Sequence, residues 1–273
     1  MGIKPVWQQD VVTSLEDVGI TTTYIESLEY DLISVGTGSV VMNMISLENT
    51  YRSEGLILLQ EKYQLKNISL VNLWEDIWKT RKAQVIGRIS SILGLNNRIH
   101  ARKTKIIAIT QQQANDFLND NHLQASAKAN YKFGLSLDDQ VIAVGCFSNL
   151  RYMKGRSPGY RSAELIRFAS LTGYTVIGGF SKLLQHFIKN YKPDDVMSYA
   201  DRDWSLGKAY EQSGFKLAEV TSPAEIWVKQ DTLVRYFSHR LPAEFFNKES
   251  GSIMGDEYVK VFNTGNLKYI LYL

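Results

Sequence analysis

Apolar positions recur along this chain with two periods, one helical and one alternating. In WQQDVVTSLEDVG, residues Val11, Val12, Leu15 and Val18 fall on one helical stripe, and Gly19 stands where a helix stops. The runs YDLISV and SVVMNMI are short and β-branched, and Gly36 and Gly38 separate them, so they predict a strand pair. LENTYRSEGLILLQEKYQ predicts a helix and NISLVNL a strand. EDIWKTRKAQVIGRISSILG predicts a long helix with Ile77, Trp78, Val85, Ile89 and Ile92 along one side and Gly94 at its end.

After the linker LNNRIHARKT the pattern restarts. KIIAIT reads as a strand and QQQANDFLNDNHL as a helix, while NYKFGLSLD and DQVIAVGCFS predict an antiparallel pair turning at Asp138 and Asp139. The stretch LRYMKGRSPGYRS is polar, basic and glycine-bearing, hence a loop. Strand AELIRFAS, helix SKLLQHFIKNY, strand DVMSYAD, helix WSLGKAYEQSG and strand FKLAEV then alternate as in a mixed α/β sheet with parallel, buried later strands. The remainder is irregular, with a strand pair expected at YVKVF and KYILYL. The predicted division is an α/β domain at 1–95, a second mixed-sheet domain at 96–230 and a C-terminal extension at 231–273.

Composition narrows the class. With 273 residues, 44% hydrophobic and 22% charged, the chain can bury one large core or two modest ones, which excludes a solvated tail or a fibrous repeat. No apolar run reaches the roughly 18 residues of a membrane span, and MGIKPVWQQD lacks the layout of a secretory signal, so a cytoplasmic protein is expected. The single cysteine, Cys146, lies in the apolar run VIAVGCF and reads as a small buried hydrophobe. The net charge of +3 is unevenly spread: residues 96–161 hold ten Lys and Arg against four Asp and Glu. Such a basic segment suits a polyanionic partner, whose binding releases condensed counterions.

Three motifs carry candidate chemistry. VIGGFSKLLQHFIKN is a strand end, two glycines and an amphipathic helix, so Gly178, Gly179, Ser181 and Lys182 could hold an anion on exposed helix-start N–H groups. SYADRDWSLGKAYEQSGF puts Tyr199 and Asp201 at a strand end, the edge where open α/β sheets place ligands, with Tyr210 beyond. Glu164, early in AELIRFAS, could activate an amine as a general base; the alternative is a carboxylate paired with Arg167 or Arg161. Arg98, Arg102, Lys103, Arg151, Lys154, Arg156 and Arg161 crowd two loops with Tyr152 and Tyr160 among them, a mixture suited to nucleic acid. Arg202 and Trp204 are candidates for the same surface. His100, His122, His186 and His239 stand at no metal-ligand spacing, and no metal is expected.

The glycine turn, the helix SKLLQHF, a strand and then WSLGKAYEQSGF resemble the GCN5-related N-acetyltransferase (GNAT) fold. The resemblance implies that the turn from Gly178 to Ser181 cradles the pyrophosphate of acetyl-CoA or a related acyl-CoA and that Tyr210 protonates the leaving thiolate. Thr175 and Phe180 depart from the family's turn, which carries a basic or amide residue at the first position and a small one at the second. Transfer would need a crevice between the strands ending near Ala169 and Asp201, one that Phe180 or Trp204 could fill.

A resemblance over nearly the whole chain lies in LVNLWEDIWKTRK, LGLNNRIHARK, ELIRFAS, VIGGFSKLLQHFIKNYKPDDVMSYADRDWSLGKAYEQSGF and FNTGNLKYILYL. These blocks are similar to phage homing-endonuclease-like proteins, which join a very-short-patch-repair-type nuclease, a restriction-endonuclease-like domain, to a GNAT-like domain. MSYAD with Gly207 and Tyr210 is also similar to the Mom-type DNA-modification proteins. The resemblance implies DNA as a partner and acyl-type transfer to a base or another amine, or else a non-catalytic DNA-binding remnant. A nuclease needs carboxylates on adjacent strands to hold Mg²⁺. Thr22 and Ile33 occupy the expected places, and Glu26, Glu29 and Asp31 lie nearby, with Glu29 and Asp31 expected on one strand face. A degenerate, inactive nuclease scaffold is therefore expected.

Overall fold

The computed structural model describes residues 6–242, 245 and 257–273. Its elements begin with α1 (Val6–Asp17), β1 (Thr22–Ile25), β2 (Leu32–Val35), β3 (Val40–Ile45), α2 (Ser53–Gln64), β4 (Ser69–Trp74) and α3 (Glu75–Ile92). There follow β5 (Asn97–His100), a 3-10 turn (Ala101–Lys103), β6 (Lys105–Ala108), α4 (Gln111–Asn121), β7 (Tyr131–Leu137), β8 (Gln140–Phe147), β9 (Arg151–Tyr152) and β10 (Arg161–Ser170). Next come β11 (Tyr174–Ile177), α5 (Gly179–Tyr191), β12 (Asp195–Asp201), α6 (Lys208–Gln212) and β13 (Lys216–Val220). The last strands are β14 (Glu225–Lys229), β15 (Arg235–Phe237), β16 (Tyr258–Phe262) and β17 (Asn266–Tyr272).

Two compact units result, and neither is contiguous. The first gathers Met1–Lys82, Asp201–Leu206 and Val220–Asn266; the second gathers Ala83–Ala200, Gly207–Glu219 and Leu267–Leu273. These bounds differ from expected ones at 95 and 230 for two local reasons. Arg81 leaves the helical region (φ −137°, ψ 30°), so α3 is two helices meeting at a kink beside the change of unit. The segment after β13 packs with the N-terminal sheet, where Ile226, Val228 and Val261 share a core with Ile45, Leu56 and Trp74.

In the first unit, β1 to β4 form a sheet in that order, with β3 and β4 parallel and the other pairs antiparallel. The expected β2–β3 hairpin is present, turning through Gly36 and Gly38 at positive φ. Glu29 and Asp31 lie before β2 rather than on it, which corrects the expected strand alternation. Asp31 accepts from Gln8 Nε2 at 2.8 Å, and Thr22 donates to Glu16. Among the described residues no three His, Cys, Asp or Glu side chains cluster to hold a metal ion. YVKVF does not pair with KYILYL: β16 joins β14 and β15, while β17 enters the large sheet.

The second unit is built on that large mixed sheet, ordered β13-β17-β12-β10-β8-β7-β6, with β9 on β10. The β7–β8 hairpin turns at Asp138 and Asp139, both left-handed (φ 47° and 62°), as a tight two-residue turn with right-handed strand twist requires. Alternation divides the sheet into two faces. Ala143, Phe147, Ala163, Leu165 and Val196 pack with Leu183, Leu184 and Phe187 of α5. Val144, Cys146 and Ala169 pack with Ala114 and Leu118 of α4. Cys146 has no exposure, and burial pushes its thiol up to about 11, the behaviour of a packing residue. Among the described residues no helix is long and apolar enough to cross a membrane.

Candidate functional site

Strands β10 and β12 run parallel but pair only at Ser162–Asp195, Ala163–Val196 and Glu164–Met197. Just beyond, β10 carries a bulge between Leu165 and Arg167, and the Ser198 hydroxyl reaches the Leu165 carbonyl at 2.8 Å. A side chain has replaced the ladder, and the strands part. The Tyr210 hydroxyl lies 3.0 Å from that of Ser198. Because the Leu165 carbonyl can only accept, the single Ser198 proton goes there and Tyr210 donates to Ser198. Burial raises the Tyr210 pKa, so the phenol keeps its proton through neutral pH.

Tyr210 is placed by α6, whose start, Gly207, is left-handed (φ 79°). A Cβ there would come within 2.2 Å of Tyr269, so glycine lets the Tyr269 ring stack on Tyr210, 5.4 Å between centroids. Expected as a helix from Trp204, the segment is helical only from Lys208, because Asp201–Leu206 forms a turn in the first unit.

The expected open crevice is corrected by Phe180. Its ring meets Phe168 edge-on at 5.4 Å, Tyr210 at 5.7 Å and Phe215 at 6.1 Å, occupying the parting from the α5 face. Gly178 (φ 75°) starts α5, Gly179 packs on Val176, and Ser181 is exposed. Helix geometry leaves the first-turn N–H groups of α5 without intrahelical partners. Lys182 is not a phosphate contact: its ammonium donates to the Ala101 and Thr104 carbonyls at 2.9 and 2.6 Å, tying α5 to the 3-10 turn.

The Asp201 carboxylate accepts from the Asp203 N–H at 3.0 Å within the 201–206 turn. Arg202 is half-buried, with Nη1 on the Thr264 carbonyl at 3.4 Å and Nε buried; Trp204 is half-buried in the same turn. By alternation along β10 and β12, Glu164 and Tyr199 project from the α4 face, opposite Phe180, and Tyr199 is exposed. Among the described residues Glu164 forms no ion pair; Arg167 instead donates to the Ile166 and Ala125 carbonyls, and Arg161 to that of Lys192. His186 packs edge-on against Phe133 at 4.8 Å.

The basic residues divide between the two ends of α5. Arg102 and Lys103 are exposed in the 3-10 turn that Lys182 grips at its first turn, and Arg98 is exposed on the adjoining β5. Arg151, Lys154 and Arg156 are exposed in the loop that ends at Arg161, beside the last turn of α5. Thirteen helical residues separate these ends by roughly 20 Å. Tyr160 is spent on Asp195 at 2.8 Å, whereas Tyr152 is 75% exposed. Sequence reasoning missed Ser198.

No family model matches the chain, and no curated protein matches it. Solved structures do match. A GNAT family acetyltransferase from Elizabethkingia anophelis with acetyl-CoA bound is 12% identical over 63% of this chain and 99% of that one, at a TM-score of 0.36. Arabidopsis thaliana Naa50 in complex with a bisubstrate analogue is 11% identical over 63% and 99%, at 0.39. FeeM, an N-acyl amino acid synthase from uncultured soil microbes, is 12% identical over 70% and 88%, at 0.29. Likeness this remote carries no argument, and the function has to be read from the side chains of this chain.

Proposed function

We propose that the second unit is a GNAT-like acyltransferase domain that moves an acyl group from acetyl-CoA or a related acyl-CoA to an amine. The observation that carries the reading is the parting of β10 and β12 around a buried, proton-holding Tyr210. The N–H groups of Gly179 and Ser181, freed by Gly178, are suited to the donor's phosphates. The donor would supply a thioester whose loss of the acyl group leaves a thiolate. Tyr210 holds the proton that such a leaving group needs, and the Glu164 carboxylate is suited to withdrawing one from an ammonium on the α4 face.

The fit is incomplete at Phe180, whose ring stands where the donor's arm would run. Turning it out forfeits three ring contacts, each worth about 0.5–1.5 kcal/mol, against the roughly 8 kcal/mol of a micromolar ligand. The ring weakens entry without forbidding it. Melting of the wild type and of Phe180→Ala with acetyl-CoA tests this. Stabilisation that is larger in the variant supports the reading, and no stabilisation of either protein ends it.

A second reading, a non-catalytic DNA-binding remnant with a degenerate nuclease-like first unit, draws on the exposed Tyr152 among Arg151, Lys154 and Arg156. It predicts DNA retention at about 50 mM salt that falls steeply as salt rises and is lost on charge reversal of the three cations. Mg²⁺-dependent nicking abolished by Asp31→Ala would overturn the inactive-nuclease part.

A further inference from the structure

Helix α4 packs on its side of the large sheet over Val144 and Cys146 of β8 and Ala169 of β10. Towards the β13 edge the burial alternates. Val196, Ser198 and Ala200 of β12 and Leu267 and Tyr269 of β17 are buried on the α5 side. On the α4 side Met197, Lys268 and Ile270 are half-buried, while Tyr199 and Tyr272 are 38% and 48% exposed. Leu217 of the edge strand is 49% exposed.

Hydrogen bonds set these strands side by side. The Leu273 N–H donates to the Asp194 carbonyl at one end of β12, and the Arg202 N–H to the Gly265 carbonyl at the other, so β17 lies antiparallel with Ile270 opposite Met197. Met197 is itself in register with Glu164 of β10. Beyond β17, the Thr221 N–H donates to the Asn266 carbonyl and Lys268 reaches Glu219 at 3.4 Å, which puts Leu217 opposite Ile270. Glu164, Met197, Ile270 and Leu217 therefore form one row across four strands, roughly 14 Å long at the usual strand spacing. Tyr199 borders the row on one side and Tyr272 on the other. Single exposed apolar side chains are ordinary, but a contiguous set marks a contact surface.

The charges on this stretch cancel except at one end of the row. Glu219 has Lys268, and the buried Asp195 accepts from Tyr160 and Ser162. Among the described residues nothing of opposite charge engages the half-buried Glu164 carboxylate, and Arg167 is held by carbonyls. An apolar row that ends on an unpaired carboxylate matches a ligand with a cationic head and an apolar tail.

We propose that this row binds a long-chain primary amine, its ammonium at Glu164 and its tail lying across Met197, Ile270 and Leu217. The tail's place makes the acceptor a lipophilic amine. The word acceptor rests on the transfer reading, but the amine site itself needs only this face, and Phe180 on the opposite face leaves it untouched.

Calorimetric titration of the full chain with butylamine, hexylamine and octylamine, each beside the corresponding alcohol, tests the proposal. Affinity for the amines should rise about two- to fourfold per methylene, the scale of burying one CH₂. Octylamine should bind about tenfold more tightly than octanol, the scale of a hydrogen bond to a charged group. Leu217→Gln and Met197→Gln should flatten the dependence on chain length with an unchanged melting temperature. Glu164→Gln should remove the preference for the amine and keep the dependence on chain length. No binding of octylamine, a chain-length dependence that survives both apolar substitutions, or an amine preference that survives Glu164→Gln overturns the proposal. So does a dimer that Leu217→Gln breaks, because a second copy would then occupy the face. Acetyl-CoA stabilisation of Phe180→Ala is read separately. Its absence beside intact octylamine binding removes the transfer reading and leaves the amine site standing.

Discussion

The hydroxyls of Ser198 and Tyr210 meet at 3.0 Å at the point where β10 and β12 separate, with the Ser198 proton committed to the Leu165 carbonyl. Tyr210 is therefore oriented as a donor before any ligand arrives. Tyr210→Phe should lower transfer by about 10²–10⁴-fold while costing only about 1 kcal/mol of stability, because Ser198 keeps its carbonyl partner. Steady-state kinetics beside a denaturant melt would separate the two effects. The raised pKa also sets the sign of the pH profile. The acid form persists below the folded pKa, so loss of rate through this group should begin only above pH 10, the ordinary value.

Gly207 is the hinge of that arrangement. Alanine there would be strained at φ 79° and would drive a methyl into Tyr269, which also donates to Glu211 at 3.0 Å. Gly207→Ala should destabilise the fold by about 1–3 kcal/mol and should displace the Tyr210 ring, lowering kcat even where the protein remains folded. Calorimetric melting and kcat measured well below the melting temperature would show both. A variant with wild-type kcat would mean that α6 is positioned by other contacts.

Much of the sheet was legible because its signals are local. The Asp138–Asp139 hairpin, the stripe of α5 and the glycines flanking both ends of the parting are written in adjacent residues. Partnerships at long range were not legible. Nothing near YVKVF says that β16 pairs with β14 rather than with KYILYL, since a strand's pattern fixes its face and not its neighbour. The Phe180 ring was recognised as a departure from a family turn, but only tertiary packing against Phe168 and Phe215 makes it fill the gap. Lys182 had suitable chemistry, and the nearby Ala101 and Thr104 carbonyls consumed it.

Asp203 gives the first unit a pH signature. Burial, then the charge of Asp201, raises its carboxyl to about 7, although Thr264 and Asn72 donate to it at 2.8 and 3.2 Å. The folded state thus holds this proton more tightly than the unfolded chain, whose value is 3.8. Its stabilising contribution is complete below the unfolded value and is lost as pH rises through about 7. Asp203→Asn keeps an acceptor for Thr264 and removes the charge. The variant should therefore match the wild type in melting temperature at pH 4 and exceed it at pH 8. Equal slopes of melting temperature against pH would show that Asp203 is already charged in the fold.

The buried Arg235–Asp76 pair should behave in the opposite way to a surface ion pair. Asp76 is fully buried and takes both Nε and Nη2 of Arg235, the latter at 2.8 Å, so each charge is hydrogen-bonded twice over. Arg235 also lies over the Trp74 ring at 6.0 Å, within the core that joins β4 to β14 and β16. Asp76 is buried whereas the Arg235 side chain is 23% exposed, so removing Asp76 strands a cation that water still reaches; the cost should fall below the about 3–5 kcal/mol of a fully buried pair yet exceed the about 0–1 of an exposed pair such as Lys260–Glu225. Asp76→Ala should therefore lower the urea midpoint sharply, and Glu225→Ala should leave it nearly unchanged. Because the penalty lies in the stranded cation, Asp76→Ala combined with Arg235→Met should recover part of the loss. A double variant no more stable than Asp76→Ala would locate the cost in packing around Trp74 instead of in the unpaired charge.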